Sequence, residues 1–334
     1  MIQMKQLRYS LIAGGLLMAA ACHKDIAPAP TDTNVTQGVA AIVNDNFSLT
    51  LFGYAMTSLG YADTLSGSGP FTLIAPSNNG FKSAGYPDGA HVIKGDDSMS
   101  KIVPYCIIKG RIVLDSLPYG FGLPLTSAYK NLPLYITHWT NGRDTAITVN
   151  GSRINTYDKH AANGLVNISD SLLFPSLFSS VSDAVAGTPN LTFFNAALDK
   201  SGLAAQLASG GNYTIFAPQN AAFINWGIPT TDSIYNMNSD SLRLFLNAHI
   251  VKGRNFIYDY ILKADTTTNT YADTCLDGSL LPMTLVNDYT HPGRFSGLTL
   301  SQQGTGNPIN VIKRNILAGN GVIHIISDVL TTNF

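Results

Sequence analysis

The chain has 334 residues, of which 45% are hydrophobic and 12% are charged, so it carries enough apolar side chains for packed cores and is not intrinsically disordered over most of its length. Its net charge of -1 excludes the strong electrostatic attraction on which nucleic-acid binding depends. Every acidic residue is an aspartate, which excludes sites that require glutamate, such as the metalloprotease helix motif and the glutamate pairs of glycoside hydrolases.

The N-terminal segment has the organisation of a secretion signal. Lys5 and Arg8 precede an apolar run over residues 11–21 that is too short to span a bilayer, and Cys22 follows directly. This order resembles a bacterial lipoprotein signal, although Ala19 stands where leucine is usual. We therefore predict a signal peptide over residues 1–21, lipid attachment at Cys22 and a membrane partner through that anchor. An ordinary signal peptide is the alternative.

Residues 22–38 contain two prolines and few large apolar side chains, which is typical of an extended tether. Lys24-Asp25 is similar to a short tag that sends some lipoproteins of Bacteroidota to the outer face of the outer membrane. We expect an outer-membrane lipoprotein displayed at the cell surface, with the periplasmic face as the alternative. Cys106 and Cys275 are far apart in sequence and are expected to be buried thiols.

The two halves of the chain share three segments in the same order, which predicts two copies of one domain. We place the copies at residues 39–175 and 178–334. Phe71–Phe81 recurs 142 residues later as Tyr213–Phe223, Cys106–Arg111 recurs 143 residues later as His249–Arg254, and Asn163–Leu172 recurs 157 residues later as Asn320–Val329.

Each copy begins with an amphipathic helical pattern and continues with strand-like runs. Apolar residues at helical spacing occur at Phe52, Ala55, Met56 and Leu59, and again at Leu191, Phe194, Ala197 and Leu198. Later apolar runs, separated by Gly, Pro and Asn, predict strands over residues 280–286, 298–301, 309–312 and 322–326. Helices first and strands later indicate an α+β domain with a largely antiparallel sheet.

The repeated segments resemble the signature boxes of the fasciclin domain. The second copy carries them most clearly, at Tyr213–Phe223, His249–Gly253 and Asn320–Leu330. The resemblance spans nearly all of residues 38–334 and implies two tandem fasciclin-like domains, each a twisted antiparallel β-sandwich or wedge flanked by helices. It also implies extracellular adhesion or ligand binding without catalysis or a cofactor. The first copy diverges, since Cys106 and Asn167 stand where the family has histidines.

Seven residues of the family boxes are expected to have structural roles. Asn78 and Asn220 follow proline-terminated strands, where a side-chain oxygen can cap a short helix. His249 and His324 are expected in one core as hydrogen-bonded residues, with a metal site or a pH switch as the alternative. The seven residues are Asn78, Asn220, His249, Asn320, Gly321, His324 and Asp328.

Aromatic residues supply the candidates for ligand contact. Trp226 and Tyr235 lie in a stretch with Pro and Thr that we predict to be an exposed loop. The first copy holds further rings, which can stack on sugars when exposed but are mostly expected to pack inside the domain. These are Tyr119, Phe121, Tyr129, Tyr135 and Trp139.

These observations predict a cell-envelope lipoprotein that mediates adhesion or binds an extracellular protein or polysaccharide through two fasciclin-like domains. The alternative is an accessory glycan-binding component of an outer-membrane polysaccharide-uptake system. A hydrolase using Asp and His is a third hypothesis. We predict no catalytic residue, no metal site, no cofactor and no nucleic-acid partner.

Overall fold

A computed structural model describes residues 35–94, 97–301 and 307–330. The predicted signal peptide, Cys22 and most of the predicted tether lie outside these residues. Within the described ranges, no helix has both the length and the apolar character needed to cross a bilayer.

The described residues of the first half form six short α-helices and seven strands. Its helices are α1 (Val39–Asn44), α2 (Thr50–Ser58), α3 (Tyr61–Ser66), α4 (Asn78–Ser83), α5 (Gly89–Lys94) and α6 (Met99–Tyr105). Its strands are β1 (Phe71–Pro76), β2 (Ile107–Lys109), β3 (Gly120–Thr126), β4 (Pro133–Thr140), β5 (Thr145–Val149), β6 (Ser152–Ala161) and β7 (Gly164–Ser169).

The second half repeats this arrangement with one further helix. Its helices are α7 (Val181–Ala186), α8 (Thr192–Ser201), α9 (Leu203–Ala208), α10 (Asn220–Asn225), α11 (Thr231–Tyr235), α12 (Ser239–Asn247) and α13 (Ile257–Lys263). Its strands are β8 (Tyr213–Pro218), β9 (Ile250–Lys252), β10 (Thr270–Thr274), β11 (Leu280–Asn287), β12 (Phe295–Ser301), β13 (Pro308–Ala318) and β14 (Gly321–Ile326).

Both halves place their seven strands in the same spatial order. The first sheet runs β2-β1-β7-β6-β5-β4-β3, and the second, read from its other edge, runs β9-β8-β14-β13-β12-β11-β10. The predicted α+β class with two tandem domains is therefore confirmed. The sheets are mixed, because one pair in each is parallel: β1 with β7 and β8 with β14.

The parallel pairs join the first and closing boxes of each repeat. Phe71 lies opposite Gly164, and Tyr213 lies opposite Gly321, so each box starts level with its partner. A Cβ atom added to either glycine would come within 2.1 Å of the carbonyl oxygen opposite it. Glycine is needed at both positions because the neighbouring backbone already fills the space.

The opening helices bury the faces that the spacing predicts, except at Leu59, which follows α2 and is 38% exposed. Phe52, Ala55 and Met56 of α2 are fully buried, as are Phe194 and Ala197 of α8. Each set joins a hydrophobic cluster that includes the adjoining β1 or β8 strand. Because the helices themselves are short, burial of these faces supplies most of their stability.

Candidate functional site

His249 lies in the interior of the second domain, between α12 and β9. Its Nδ1 donates to the carbonyl oxygen of Phe245 at 2.8 Å, and its Nε2 accepts from the Leu330 amide at 3.0 Å. The ring also contacts Phe194 and Phe245. Burial lowers the pKa of His249 to about 4, so the ring is neutral at pH 7 and both of its nitrogens are occupied.

His324 lies on β14 and points to the other side of the sheet. Its Nε2 donates to the Asn255 carbonyl oxygen at 3.0 Å, and its Nδ1 accepts from the Asn315 amide at 3.1 Å. Burial lowers the pKa of this ring to about 4 as well. The expectation that both histidines share one core is wrong: His249 packs on the cluster of Phe194 and Phe245, whereas His324 packs on Phe216 of another cluster.

Asn78 and Asn220 do not cap the helices in which they lie. Ser77 caps α4 with its hydroxyl group, and α10 has no side-chain cap at Gln219. The Asn78 oxygen accepts instead from the Leu51 amide at 3.0 Å, and the Asn220 oxygen accepts from the Phe193 amide at 3.1 Å. Each asparagine thus caps an earlier helix, α2 or α8, by accepting from an amide 27 residues before it in the sequence. This bond connects the helix to the end of the first box.

Asn320 joins the closing box to the helical layer. Its side-chain oxygen accepts from the Val181 amide at 2.7 Å, and its amide group donates to the Leu207 carbonyl oxygen at 2.7 Å. Asn163 makes the equivalent bonds to Val39 and Leu65 in the first domain. Asp328 is exposed and accepts from the amide of the residue that follows it.

The divergent first domain fills its histidine positions with residues that make internal contacts. Cys106 is buried, and burial raises the pKa of its thiol far above the usual value. Asn167 donates to the Leu73 carbonyl oxygen at 3.1 Å and accepts from the Asp158 amide at 2.8 Å. Cys275 is also buried, as expected for both thiols. Among the described residues, no group of three His, Cys or Asp side chains is placed to hold a metal ion.

The described Asp–His ion pairs lie in exposed segments. Asp88 pairs with His91 and Asp288 pairs with His291, each at a spacing of three residues. The Thr290 hydroxyl also contacts His291, but this hydroxyl donates to Asp288, and all three residues lie in one exposed turn. These contacts close local turns and form no enclosed site for a substrate.

The two aromatic residues singled out in the second domain lie in different surroundings. Trp226 ends α10 and is half-buried, with its ring stacked on Phe245 at 5.1 Å and 22°. The predicted exposed loop is wrong here, because the ring fills a gap at the margin of the hydrophobic core. Tyr235 is the last residue of α11, and 48% of its surface is exposed.

A cluster of rings on the first domain, named here the aromatic patch, consists of Tyr119, Phe121 and Trp139. The ring of Trp139 lies 4.8 Å from that of Phe121 and 6.3 Å from that of Tyr119. Tyr119 is 58% exposed, and the other two rings are half-buried. Tyr119 directly precedes the edge strand β3, Phe121 lies on that strand, and Trp139 lies on its neighbour β4. The register of this strand pair shifts after Gly120. The sequence contains these rings, but their spacing alone does not show that a bulged edge gathers them at the surface.

The second domain completes the margin of the patch. Lys263 of α13 places its Nζ atom 4.8 Å from the centre of the Phe121 ring, and the same atom donates to Asn255 at 2.6 Å. A cation over an aromatic face is favoured by the electron density of the ring. The patch therefore combines one exposed ring and two half-buried rings with one positive charge, which the other domain supplies.

The first turn of α13 packs against β4 and forms the joint between the domains. The Arg254 guanidinium lies 3.9 Å from the centre of the Tyr135 ring, and Phe256 packs on the same tyrosine at 6.4 Å. Thr137 donates from its hydroxyl to the Asp259 carboxylate at 2.7 Å. Burial raises the pKa of Asp259 to about 6, so its negative charge at pH 7 depends on the donors around it.

A second polar contact extends the joint. Arg153 and Asp144 of the first domain form an ion pair at 2.5 Å, and Tyr258 of α13 donates to Asp144 at 3.1 Å. Arg153 also donates to the Tyr258 oxygen. Burial alone would raise the pKa of Asp144, but the bonds from Arg153 and Tyr258 hold it below its usual value. The joint thus pairs a partly buried cation with a carboxylate and a tyrosine hydroxyl.

The sequence model of the fasciclin domain matches residues 47–175 and 189–332. The chain is 30% identical over 273 residues to transforming growth factor-beta-induced protein ig-h3 of Sus scrofa, a match covering 80% of this chain and 35% of that protein. It is 31% identical over 180 residues to periostin of Homo sapiens, covering 51% of this chain and 20% of that protein. The chain thus spans about a third of the length of ig-h3.

Among solved structures, the fasciclin domain pair of the insect cell adhesion molecule Fasciclin I matches with a TM-score of 0.40 at 20% identity, covering 85% of this chain and 96% of that chain. The fasciclin domain is a non-enzymatic domain, and its sequence model accounts for most of the chain in two segments. By that match, the chain belongs to the fasciclin-domain family.

Proposed function

We propose that this protein is an extracellular adhesion or ligand-binding module whose binding surface is the aromatic patch. The single observation that carries the proposal is the exposure of Tyr119 beside Phe121 and Trp139, three rings that the domain core does not enclose. The histidines and asparagines of the family boxes are occupied by internal hydrogen bonds and are not available to a ligand. Exposed, clustered aromatic rings are typical of recognition surfaces.

The proposal places the module on the cell envelope through a lipid at Cys22. Its support is the sequence: a short apolar run that ends at a cysteine, followed by a stretch suited to an extended tether. An outer-membrane lipoprotein at the cell surface would present both domains to partners outside the cell. Display on the periplasmic face is the alternative.

A second candidate function is glycan binding as an accessory component of an outer-membrane polysaccharide-uptake system. The same patch favours it, because adjacent rings offer apolar faces on which sugar rings can stack. Lys263 at the margin of the patch adds a donor suited to hydroxyl or carboxylate groups of a saccharide.

The experiment is a binding assay on arrays of polysaccharides and matrix proteins, using a soluble form that comprises residues 39–334. We expect saturable binding of at least one ligand. The affinity should fall at least about tenfold in Tyr119→Ala, because the substitution removes a ring that contributes about 1.4 kcal/mol or more to the binding free energy. Tyr235→Ala is the matched control, since it removes an exposed tyrosine far along the sequence in the second domain.

The class of ligand separates the two candidate functions. A glycan that loses affinity in Tyr119→Ala supports the uptake function, and a protein that does so supports adhesion. Each domain is also assayed alone, and residues 39–175 are expected to bind more weakly because they lack Lys263. Equal binding by Tyr119→Ala and the unaltered protein would contradict the assignment of the patch.

A further inference from the structure

A cleft lies between the two domains, next to the joint made by α13, since Asn315 of its lining accepts from the Ile257 amide at the start of that helix. Its volume is about 670 Å³, which is within the range of roughly 300–1,000 Å³ that small-ligand sites occupy. One wall is the segment that connects the domains, and the other is the β13 strand. The C-terminal part of α4 and the turn before β6 contribute the remaining lining.

The connecting segment gives the cleft an apolar wall. Phe174 and Leu177 are 51% and 60% exposed, although large apolar side chains are usually buried. Ile316 and Leu317 of β13 also line the cleft, but Leu317 is only 7% exposed and both side chains pack in hydrophobic clusters. The exposed apolar side chains of the cleft therefore come from the connecting segment.

The same strand brings two positive charges to the cleft. Lys313 and Arg314 line it, and no Asp is among the lining residues. None of the ion pairs formed by the described residues includes either cation. Arg314 donates to the Ser296 carbonyl oxygen, and Asp170, a carboxylate that acts on its charge, lies outside the lining and accepts from Asn155.

The two walls of the cleft separate charge from apolar surface. The cations come from β13, whereas the exposed apolar side chains, Phe174 and Leu177, come from the connecting segment. A ligand that reaches from one wall to the other would therefore meet a cation at one end and apolar side chains at the other. Such a distribution is complementary to an elongated molecule with an anionic head and an apolar tail.

We propose that this cleft binds a fatty acid, with its carboxylate near Lys313 and Arg314 and its acyl chain against Phe174 and Leu177. The site shares none of its residues with the aromatic patch, so it goes beyond the function proposed above and can fail or succeed independently of it. Removal of the acyl chain from water supplies the affinity, and the two cations select the ionised head.

The test is calorimetric titration of the full chain with dodecanoate, with dodecanol as the neutral ligand of equal chain length. The chain carries Cys22→Ala so that no attached lipid competes for the cleft. We expect saturable binding with one ligand per chain and a preference for dodecanoate over dodecanol. Lys313→Gln should weaken dodecanoate at least about fivefold and leave dodecanol unchanged, and Lys313→Arg should restore dodecanoate binding.

A second variant tests the apolar wall. Phe174→Ser together with Leu177→Ser should weaken both ligands at least about tenfold, and both side chains are exposed enough for the substitutions to leave the fold intact. Lys252→Gln, which removes an exposed cation at the end of β9, is the matched control. Absence of saturable dodecanoate binding, or equal loss in Lys252→Gln and Lys313→Gln, would overturn the proposal.

Discussion

Single residues show how the two copies reach one fold with different side chains. In the second domain His324 bonds the backbone on both sides, and in the first domain Asn167 does the same with its amide group. Both positions require a donor and an acceptor at a buried site, and either side chain supplies them. Loss of the family histidines therefore does not imply loss of the domain.

The two buried histidines predict a dependence of stability on pH. Their folded-state pKa values are lowered to about 4, whereas a histidine in the unfolded chain titrates near 6.5. The unfolded state therefore binds more protons below pH 6.5, so the contribution of each neutral ring is complete above that pH and is lost as the pH falls toward 4.

Each histidine should lower the free energy of unfolding by about 2 kcal/mol between pH 7 and pH 5. Urea denaturation at the two pH values measures this change. In His249→Gln, the difference in the free energy of unfolding between pH 7 and pH 5 should be smaller by about 2 kcal/mol. Asp259, whose raised pKa acts in the opposite direction, is present in both proteins and cancels in the comparison. An unaltered pH dependence in the variant would show that His249 titrates normally in the folded protein.

At the scale of elements, the packing of α13 on β4 decides how the domains meet. The alternation of β4 turns Tyr135, Thr137 and Trp139 to one side, where the first two contact the second domain and the third joins the aromatic patch. One strand thus serves both the joint and the proposed binding surface.

The bond from Thr137 to Asp259 predicts a substitution effect that depends on pH. In Thr137→Val the buried carboxylate loses a donor, which costs about 2 kcal/mol when the group is charged and about 1 kcal/mol when it is protonated. Because burial raises the pKa of Asp259 to about 6, the loss of stability should be larger at pH 8 than at pH 5. Chemical denaturation at both pH values measures the difference.

Thr148→Val is the matched control for this experiment. Thr148 lies opposite Thr137 on β5, and its buried hydroxyl has no hydrogen-bond partner in the described structure. Its replacement should have a small effect that is the same at both pH values. The same loss of stability at pH 5 and pH 8 in Thr137→Val would contradict the role assigned to Asp259.

At the scale of the whole molecule, the two fasciclin domains form a pair with a charged and aromatic joint and an open cleft next to it. The aromatic patch receives a cation from the second domain, and the cleft takes walls from both. Both proposed sites therefore depend on the pairing of the domains.

The proposed anchor gives a prediction for the complete chain in its host cell. Cys22→Ala should move the protein from the membrane fraction to the soluble fraction, because several acyl chains on one residue are needed for stable attachment. Immunoblotting of fractionated cells measures the distribution, with Cys106→Ala as a control that alters a buried thiol. Retention of Cys22→Ala in the membrane fraction would contradict lipid anchoring.

The sequence by itself determined the repeat, the α+β class and the opening helices, because these depend on local spacing and on segments that recur in order. It also indicated that the asparagines and histidines of the boxes have structural roles, but it did not identify their hydrogen-bond partners. Asn78 illustrates the limit: its position predicts a cap on α4, yet it caps α2, which lies 27 residues earlier. A side chain near a helix start can satisfy any amide within reach, and only the packed structure brings the alternatives together.

The tertiary structure alone decided which aromatic rings are exposed and where the domains touch. Trp226 packs on Phe245, whereas Tyr119, Phe121 and Trp139 gather at a bulged edge strand. Composition gives the rings but not their neighbours, since exposure depends on contacts between residues that are distant in sequence. The cleft has the same origin, because the cations of β13 and the apolar connecting segment meet only when both domains have folded and packed together.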